Sequence, residues 1–141
     1  MLKGIPPVIS PELMLVLMEM GHGDELVLAD ANFPAETHGR RVVRADGLEV
    51  PVLLEAILKF FPIDTFEADA AFVMRPVDPN DPSPPIWDRY RELLRLAEGR
   101  DIALKPLGRH EFYERSLEAY AIVATSERAI YGNLIIKKGN V

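Results

Sequence analysis

The sequence predicts an α/β fold: a three-layer α/β/α domain over residues 1–141, built on a mixed, mainly parallel sheet of six strands. Two observations point there. Short apolar runs of strand length alternate with longer stretches whose apolar residues recur at helical spacing, the order that builds parallel sheets through helical crossovers. Most of those runs are apolar at successive positions, as strands covered on both faces are.

Ser10 and Pro11 open the first helix, Ser as N-cap and Pro at the first helical position. Leu13, Val16, Leu17 and Met20 form its apolar stripe, and Gly21 is expected to end it. Glu25 to Ala29 is the first strand, with His22 and Asp24 before it and Asp30 after it. A strand of this kind spans roughly 20 Å, so His22 and Asp30 cannot meet along it. They meet only if the loop at His22 folds back or a second subunit brings its own copy. Arg41 to Arg44 is a second strand, and a helix follows over residues 51–61, stopped by Pro62. Ala70 to Met74 is a third strand. The proline-rich stretch 76–85 reads as a stiff surface connection. Ile86 to Ala97 is helical, with Trp87, Tyr90, Leu93 and Leu94 on one face and Gly99 after it. Ile102 to Leu104 is expected as the fourth strand, Glu111 to Ala119 as a helix, and Ala121 to Thr125 and Leu134 to Lys137 as the last two strands.

Composition narrows the function. Hydrophobic content of 48% and charged content of 27% are those of an ordinary globular protein. A net charge of −6 without a Lys/Arg block argues against nucleic acid. No apolar run reaches membrane-spanning length, and the first residues lack a signal-peptide core, so neither membrane nor secretion is expected. The lack of cysteine removes disulfide and thiolate chemistry and suits the cytoplasm.

No glycine-rich nucleotide cradle and no nucleophile elbow is present. The histidines, His22, His38 and His110, lack metal-helix spacing, so neither metal nor cofactor is expected. Acid–base chemistry from His and carboxylate is left, with Arg, Tyr and Asn able to hold a polyol. By spacing alone, each candidate also has a plain reading. His22 is a capping-turn residue, Asp30 a turn or N-cap aspartate, and Arg109 a solvated loop cation. Tyr131 and Asn133 form a turn before the last strand, His38 and His110 lie on the surface, and Tyr113 and Tyr120 are core aromatics.

Four segments in order carry a resemblance: Gly21-His22-x-Asp24 with Asp30 and Pro34; Arg44-Ala45-Asp46-Gly47; Arg109 with Phe112-Tyr113-Glu114-Arg115; and Tyr131-Gly132-Asn133 with Leu134 to Gly139. The chain resembles, over nearly its whole length, the ribose pyranase and fucose mutarotase family, and its fucose branch most. The resemblance implies a cofactor-free isomerase that interconverts the α and β anomers of a monosaccharide, L-fucose favoured. His22 would be the acid–base residue. Asp30, Arg109, Tyr131, Gly132 and Asn133 would bind the sugar, with Asp24 and Tyr120 as weaker candidates. It also implies a homodecameric ring whose sites lie between neighbouring subunits. The chain departs from the family in one place, with Thr125-Ser126-Glu127 for Thr-Gly-Glu. A positive φ at that glycine would leave Ser126 strained.

The alternatives are a non-catalytic sugar-binding or sensing protein using the same pocket, a pyranase-type pyranose/furanose isomerase, and a metal-assisted lyase using His22, Asp24 and Asp30.

Overall fold

Ser10 caps the first helix by accepting the Leu13 N–H on its hydroxyl at 3.1 Å. The computed structural model describes residues 1–141. Its elements run α1 (Pro11–Glu19), β1 (Glu25–Ala29), α2 (Ala35–His38), β2 (Val42–Ala45), α3 (Val50–Ile57), β3 (Ala71–Met74), α4 (Pro85–Glu98), β4 (Lys105–Leu107), α5 (Arg109–Glu118), β5 (Ala121–Thr125) and β6 (Leu134–Lys137).

The strands form one six-stranded sheet in the order β2-β5-β1-β6-β3-β4. β1 pairs parallel with β5, β5 with β2, and β3 with β4; β6 lies antiparallel between β1 and β3. The sheet is thus mixed and mainly parallel, as expected. Alternate residues of the four central strands, β5, β1, β6 and β3, face two separate cores. Leu26, Leu28, Val73, Val123 and Ile136 pack with α1, α3 and α4. Val27, Ala29, Phe72, Ile122 and Ile135 pack with Ala35 of α2 and Phe112 of α5. Each such fully buried aliphatic side chain contributes about 1.5–3 kcal/mol, which is why the central runs read as continuously apolar.

Three expectations are corrected. The fourth strand is Lys105–Leu107, not Ile102 to Leu104. Ile102 and Leu104 are buried against the core without pairing, and the ladder with β3 starts at Lys105. Pro106 is tolerated because β4 is an edge strand, where its missing N–H interrupts no ladder. Gly21 does not end α1 in the left-handed conformation. Met20 caps it with extended geometry, and the positive φ (88°) falls at Gly23. Ser126 is unstrained, and the only non-glycine residue at positive φ is Tyr131, at 56°. Ser126 instead accepts the Gly47 N–H on its hydroxyl at 2.7 Å, pinning the turn that leads into α3.

The five parallel strands direct their carboxyl ends to one edge of the sheet, and β6 starts from that edge. Asp30 and Asn133 therefore share it, while His22 and Asp24 lie at the opposite edge.

Candidate active site

A cleft of about 410 Å³ opens at the carboxyl edge, a size suited to one small ligand. Asp30 from the end of β1, Arg109 from the first position of α5, and Tyr131 and Asn133 from the segment before β6 all line it. Phe33, Met74 and Tyr113 give it an apolar wall.

Asp30 and Asn133 are locked together. The Asp30 N–H donates to Asn133 Oδ1 at 2.7 Å, and Asn133 Nδ2 donates to Asp30 Oδ2 at 3.0 Å. Asp30 Oδ1 accepts the Asn32 N–H at 2.9 Å. Burial pushes the Asp30 carboxyl above its usual range. Its hydrogen bonds pull the other way without cancelling this, and the Glu127 carboxylate adds to the rise.

Tyr131 is held from three directions. Its carbonyl accepts the Trp87 Nε1–H at 3.0 Å, its hydroxyl accepts the Val77 N–H at 3.0 Å, and the Tyr90 hydroxyl donates to the next carbonyl, that of Gly132, at 2.6 Å. These contacts over-determine a backbone that a tyrosine adopts only at a cost. Because the Tyr131 hydroxyl receives its hydrogen bond from Val77, its own proton is free for a ligand oxygen. Gly132 is buried behind the cleft and does not line it. A Cβ there would sit 3.0 Å from the Ala129 carbonyl oxygen and 3.1 Å from Glu127 Cγ, so any side chain would push these neighbours back by a few tenths of an ångström. Burial, together with the Glu127 and Asp30 carboxylates, drives the Tyr90 phenol far above its ordinary pKa, so it stays a neutral donor.

Arg109 is exposed at the mouth of the cleft, its guanidinium 5.6 Å from the Tyr113 ring centroid and without a carboxylate in salt-bridge range. Tyr113 belongs to the wall, whereas Phe112 beside it is core.

Glu127 was not legible as a site residue. It is 5% exposed, its two carboxylate oxygens accept the Ala129 N–H (2.9 Å) and the Val50 N–H (3.2 Å), and its carbonyl accepts the Ala31 N–H. One side chain thus ties the 127–131 loop to the start of α3. Arg128 also lines the cleft and carried no sequence signal beyond its charge.

The other candidates gather at the amino edge. His22 Nε2 lies 3.0 Å from Asp64 Oδ1, and its ring sits 4.8 Å from that of Phe66. Asp24 clamps its own turn, accepting the Gly21 N–H at 2.7 Å. The Tyr120 hydroxyl donates to Glu19 at 2.9 Å while the Arg41 guanidinium lies 4.0 Å over its ring. The bond to Glu19 is the main cause that holds the Tyr120 phenol above its ordinary range. Arg115 pairs bidentately with Glu25 at this edge. Within one chain, then, His22, Asp24 and Asp30 are not one cluster. The five residues of β1, roughly 17 Å, separate the first two from the third.

A model of the RbsD / FucU transport protein family matches residues 3–141. A protein of Danio rerio named fucose mutarotase is 57% identical over 98% of this chain and 93% of its own. A protein of Haemophilus influenzae named L-fucose mutarotase is 47% identical over 99% of this chain and 96% of its own. The crystal structure of a fucose mutarotase from Streptococcus pneumoniae in complex with L-fucose superposes with a TM-score of 0.94 at 47% identity, covering 99% of both chains.

Proposed function

The chain belongs to the RbsD / FucU transport protein family, and from that premise we propose that it is an L-fucose mutarotase, an isomerase that opens and recloses the pyranose ring. One observation carries the reading. Asp30, Arg109, Tyr131 and Asn133, separated by up to 103 positions in sequence, line one cleft. The chain containing them matches proteins named fucose mutarotase and L-fucose mutarotase along nearly its whole length.

The chemistry requires two proton movements. A base removes the proton of the anomeric hydroxyl while an acid protonates the ring oxygen. The bond from the anomeric carbon to the ring oxygen breaks, leaving the open-chain aldehyde. Rotation about the adjacent carbon–carbon bond presents the other carbonyl face, and the reverse transfers close the ring. Positioned acid–base groups contribute about 10² to 10⁴-fold each. His22 is the acid–base residue in this reading, because an imidazole accepts and returns protons near neutrality. Asp30 accepts from a sugar hydroxyl, the Tyr131 hydroxyl and the Arg109 guanidinium donate, and Asn133 holds Asp30 in place. The apolar wall of Phe33, Met74 and Tyr113 suits the methyl group of a 6-deoxy sugar.

His22 and the cleft lie at opposite edges of one chain, so the working unit in this reading is a ring, a homodecamer by family resemblance. His22 of one subunit completes the cleft of the next. Exposed Leu2 (73%), Leu15 (57%) and Met18 (78%) form an apolar patch at α1 of the kind association covers. We also place the enzyme in the cytoplasm, as a chain without cysteine suits a reducing compartment.

Exchange NMR against L-fucose, D-ribose and D-galactose tests the reading. α/β exchange is expected to be fastest for L-fucose; faster exchange of D-ribose would assign the chain to pyranase chemistry, and binding without exchange would make it a sensor.

A further inference from the structure

Asp64 lies beyond α3, after Phe61 and Pro62, and the mechanism above makes no use of it. It is 2% exposed, a carboxylate closed off by its own loop. Its main chain is fixed on two sides: the Asp64 N–H donates to the Lys137 carbonyl at 3.0 Å, and Arg100 donates to the Asp64 carbonyl at 3.3 Å. Its side chain accepts the Phe66 N–H on Oδ1 at 3.1 Å and the Glu67 N–H on Oδ2 at 3.3 Å. The remaining partner, on Oδ1 at 3.0 Å, is Nε2 of His22, 42 positions away. Burial alone would raise the Asp64 carboxyl. The bonds from His22, Phe66 and Glu67 outweigh it and hold the group below its usual range, so it is a carboxylate at neutral pH.

An ionised carboxylate only accepts, so the ring nitrogen facing it must carry the proton. That leaves Nδ1 with the lone pair. The Phe66 ring, 4.8 Å away and itself 73% exposed, packs against the imidazole and limits its rotation.

We infer that Asp64 is a positioning residue for His22, holding its N–H on Nε2 so that Nδ1 is the atom that takes and returns the proton of the sugar. This rests on the reading of His22 as the acid–base residue. A fixed carboxylate also stabilises the imidazolium formed at each turnover, at constant geometry. The other charged groups of this edge are tied elsewhere. Asp24 accepts the Gly21 N–H, Glu67 pairs with Lys137, Glu25 with Arg115, and Glu19 with the Tyr120 hydroxyl. Arg100 donates to the Asp64 carbonyl, not to its carboxylate.

Asp64→Asn is nearly isosteric but cannot satisfy this site. Of its two side-chain positions, one is an NH₂. That group faces either the Glu67 N–H or the Phe66 N–H and His22, a donor against a donor in each case.

The experiment combines two readouts on the assembled protein. Solid-state ¹⁵N NMR of histidine-labelled protein at neutral pH, with the His22 signals assigned by their loss in His22→Ala, reports which nitrogen is protonated. In the neutral ring the proton is expected on Nε2 in the wild type, and as a mixture or on the other nitrogen in Asp64→Asn. Exchange NMR on L-fucose should show the rate in Asp64→Asn reduced about tenfold to a hundredfold, the affinity for fucose nearly unchanged, and the double variant no slower than His22→Ala alone. A wild-type rate in Asp64→Asn, where His22→Ala is slow, makes Asp64 a loop clamp only and overturns the inference. A wild-type protein protonated on Nδ1 overturns it too, even if Asp64→Asn does not fold. If His22→Ala itself exchanges fucose at the wild-type rate, the reading of His22 fails, and that result is distinct from the other two.

Discussion

Asn133 answers Asp30 with both ends of its amide: Oδ1 accepts the Asp30 backbone N–H at 2.7 Å, and Nδ2 donates to the Asp30 carboxylate at 3.0 Å. Because β6 runs antiparallel beside β1, the last residue before one strand sits against the first residue after the other. The pair fixes the carboxylate in the cleft before any ligand arrives.

Replacing Asn133 with Ala leaves the Asp30 N–H and one carboxylate oxygen without partners. The unmet groups should cost about 1–3 kcal/mol of stability. Fucose affinity should fall about tenfold or more, since the carboxylate is no longer held. Denaturant unfolding and calorimetry read the two effects. Unchanged affinity would mean that Asp30 needs no orienting.

The raised pKa of Asp30 gives a pH dependence of definite sign. The folded state holds this proton more tightly than the unfolded chain, whose value is 3.8. Asp30 therefore favours folding most when protonated, and that contribution is lost as pH rises from 3.8 through the raised folded value. The thermal midpoint of the wild type relative to Asp30→Asn should decline across that window. Fucose affinity should do the reverse, strengthening as the carboxylate ionises, and the variant should not show this rise. A midpoint difference independent of pH would remove the linkage.

Gly132→Ala places a methyl within 3.0 Å of the Ala129 carbonyl oxygen and 3.1 Å of Glu127 Cγ. The crowding should destabilise by about 1–3 kcal/mol. It should also weaken fucose binding, because the Tyr131 backbone moves with it. Binding at full strength in a destabilised variant would separate Gly132 from the site.

Assembly is the next expectation. Light scattering on the native protein should give a mass many times 15.8 kDa. A monomer at micromolar concentration would leave His22 and the cleft permanently apart.

How far the sequence carried depended on where the information resides. β1 was legible to the residue, because an apolar run between Gly23 and Asp30 allows little else. The reversed direction of β6 was not, since LIIK reads alike both ways and its partners are chosen by the path of the chain. β4 was misplaced by three residues because burial and pairing separate there, Ile102 and Leu104 being buried but unpaired. The single turn of α2 is too short for a periodic signal. Of the site, Asp30, Arg109, Tyr131 and Asn133 were named from the family resemblance, and they do line one cleft. Glu127 and Asp64 were missed because each works through hydrogen bonds to distant groups, Val50 in one case and His22 in the other, which no local spacing reveals.

His22→Ala alone should lower the catalysed exchange of L-fucose by about 10² or more while leaving affinity within roughly tenfold. Asp30→Asn should weaken binding as well, since a charged hydrogen bond contributes about 1.5–3 kcal/mol.

The measurement that bears most directly on the whole account combines these two variants. Each homogeneous assembly lacks one half of every site. Co-expressed in equal amounts, His22→Ala subunits still offer an intact Asp30 cleft, and Asp30→Asn subunits still offer an intact His22. With random mixing in a ring of head-to-tail contacts, about a quarter of the interfaces regain both halves. Exchange NMR on L-fucose should then find a rate near that fraction of wild type, far above either variant alone. A mixed assembly no faster than the average of its two parents would mean that His22 does not act on sugar held in a neighbouring subunit's cleft.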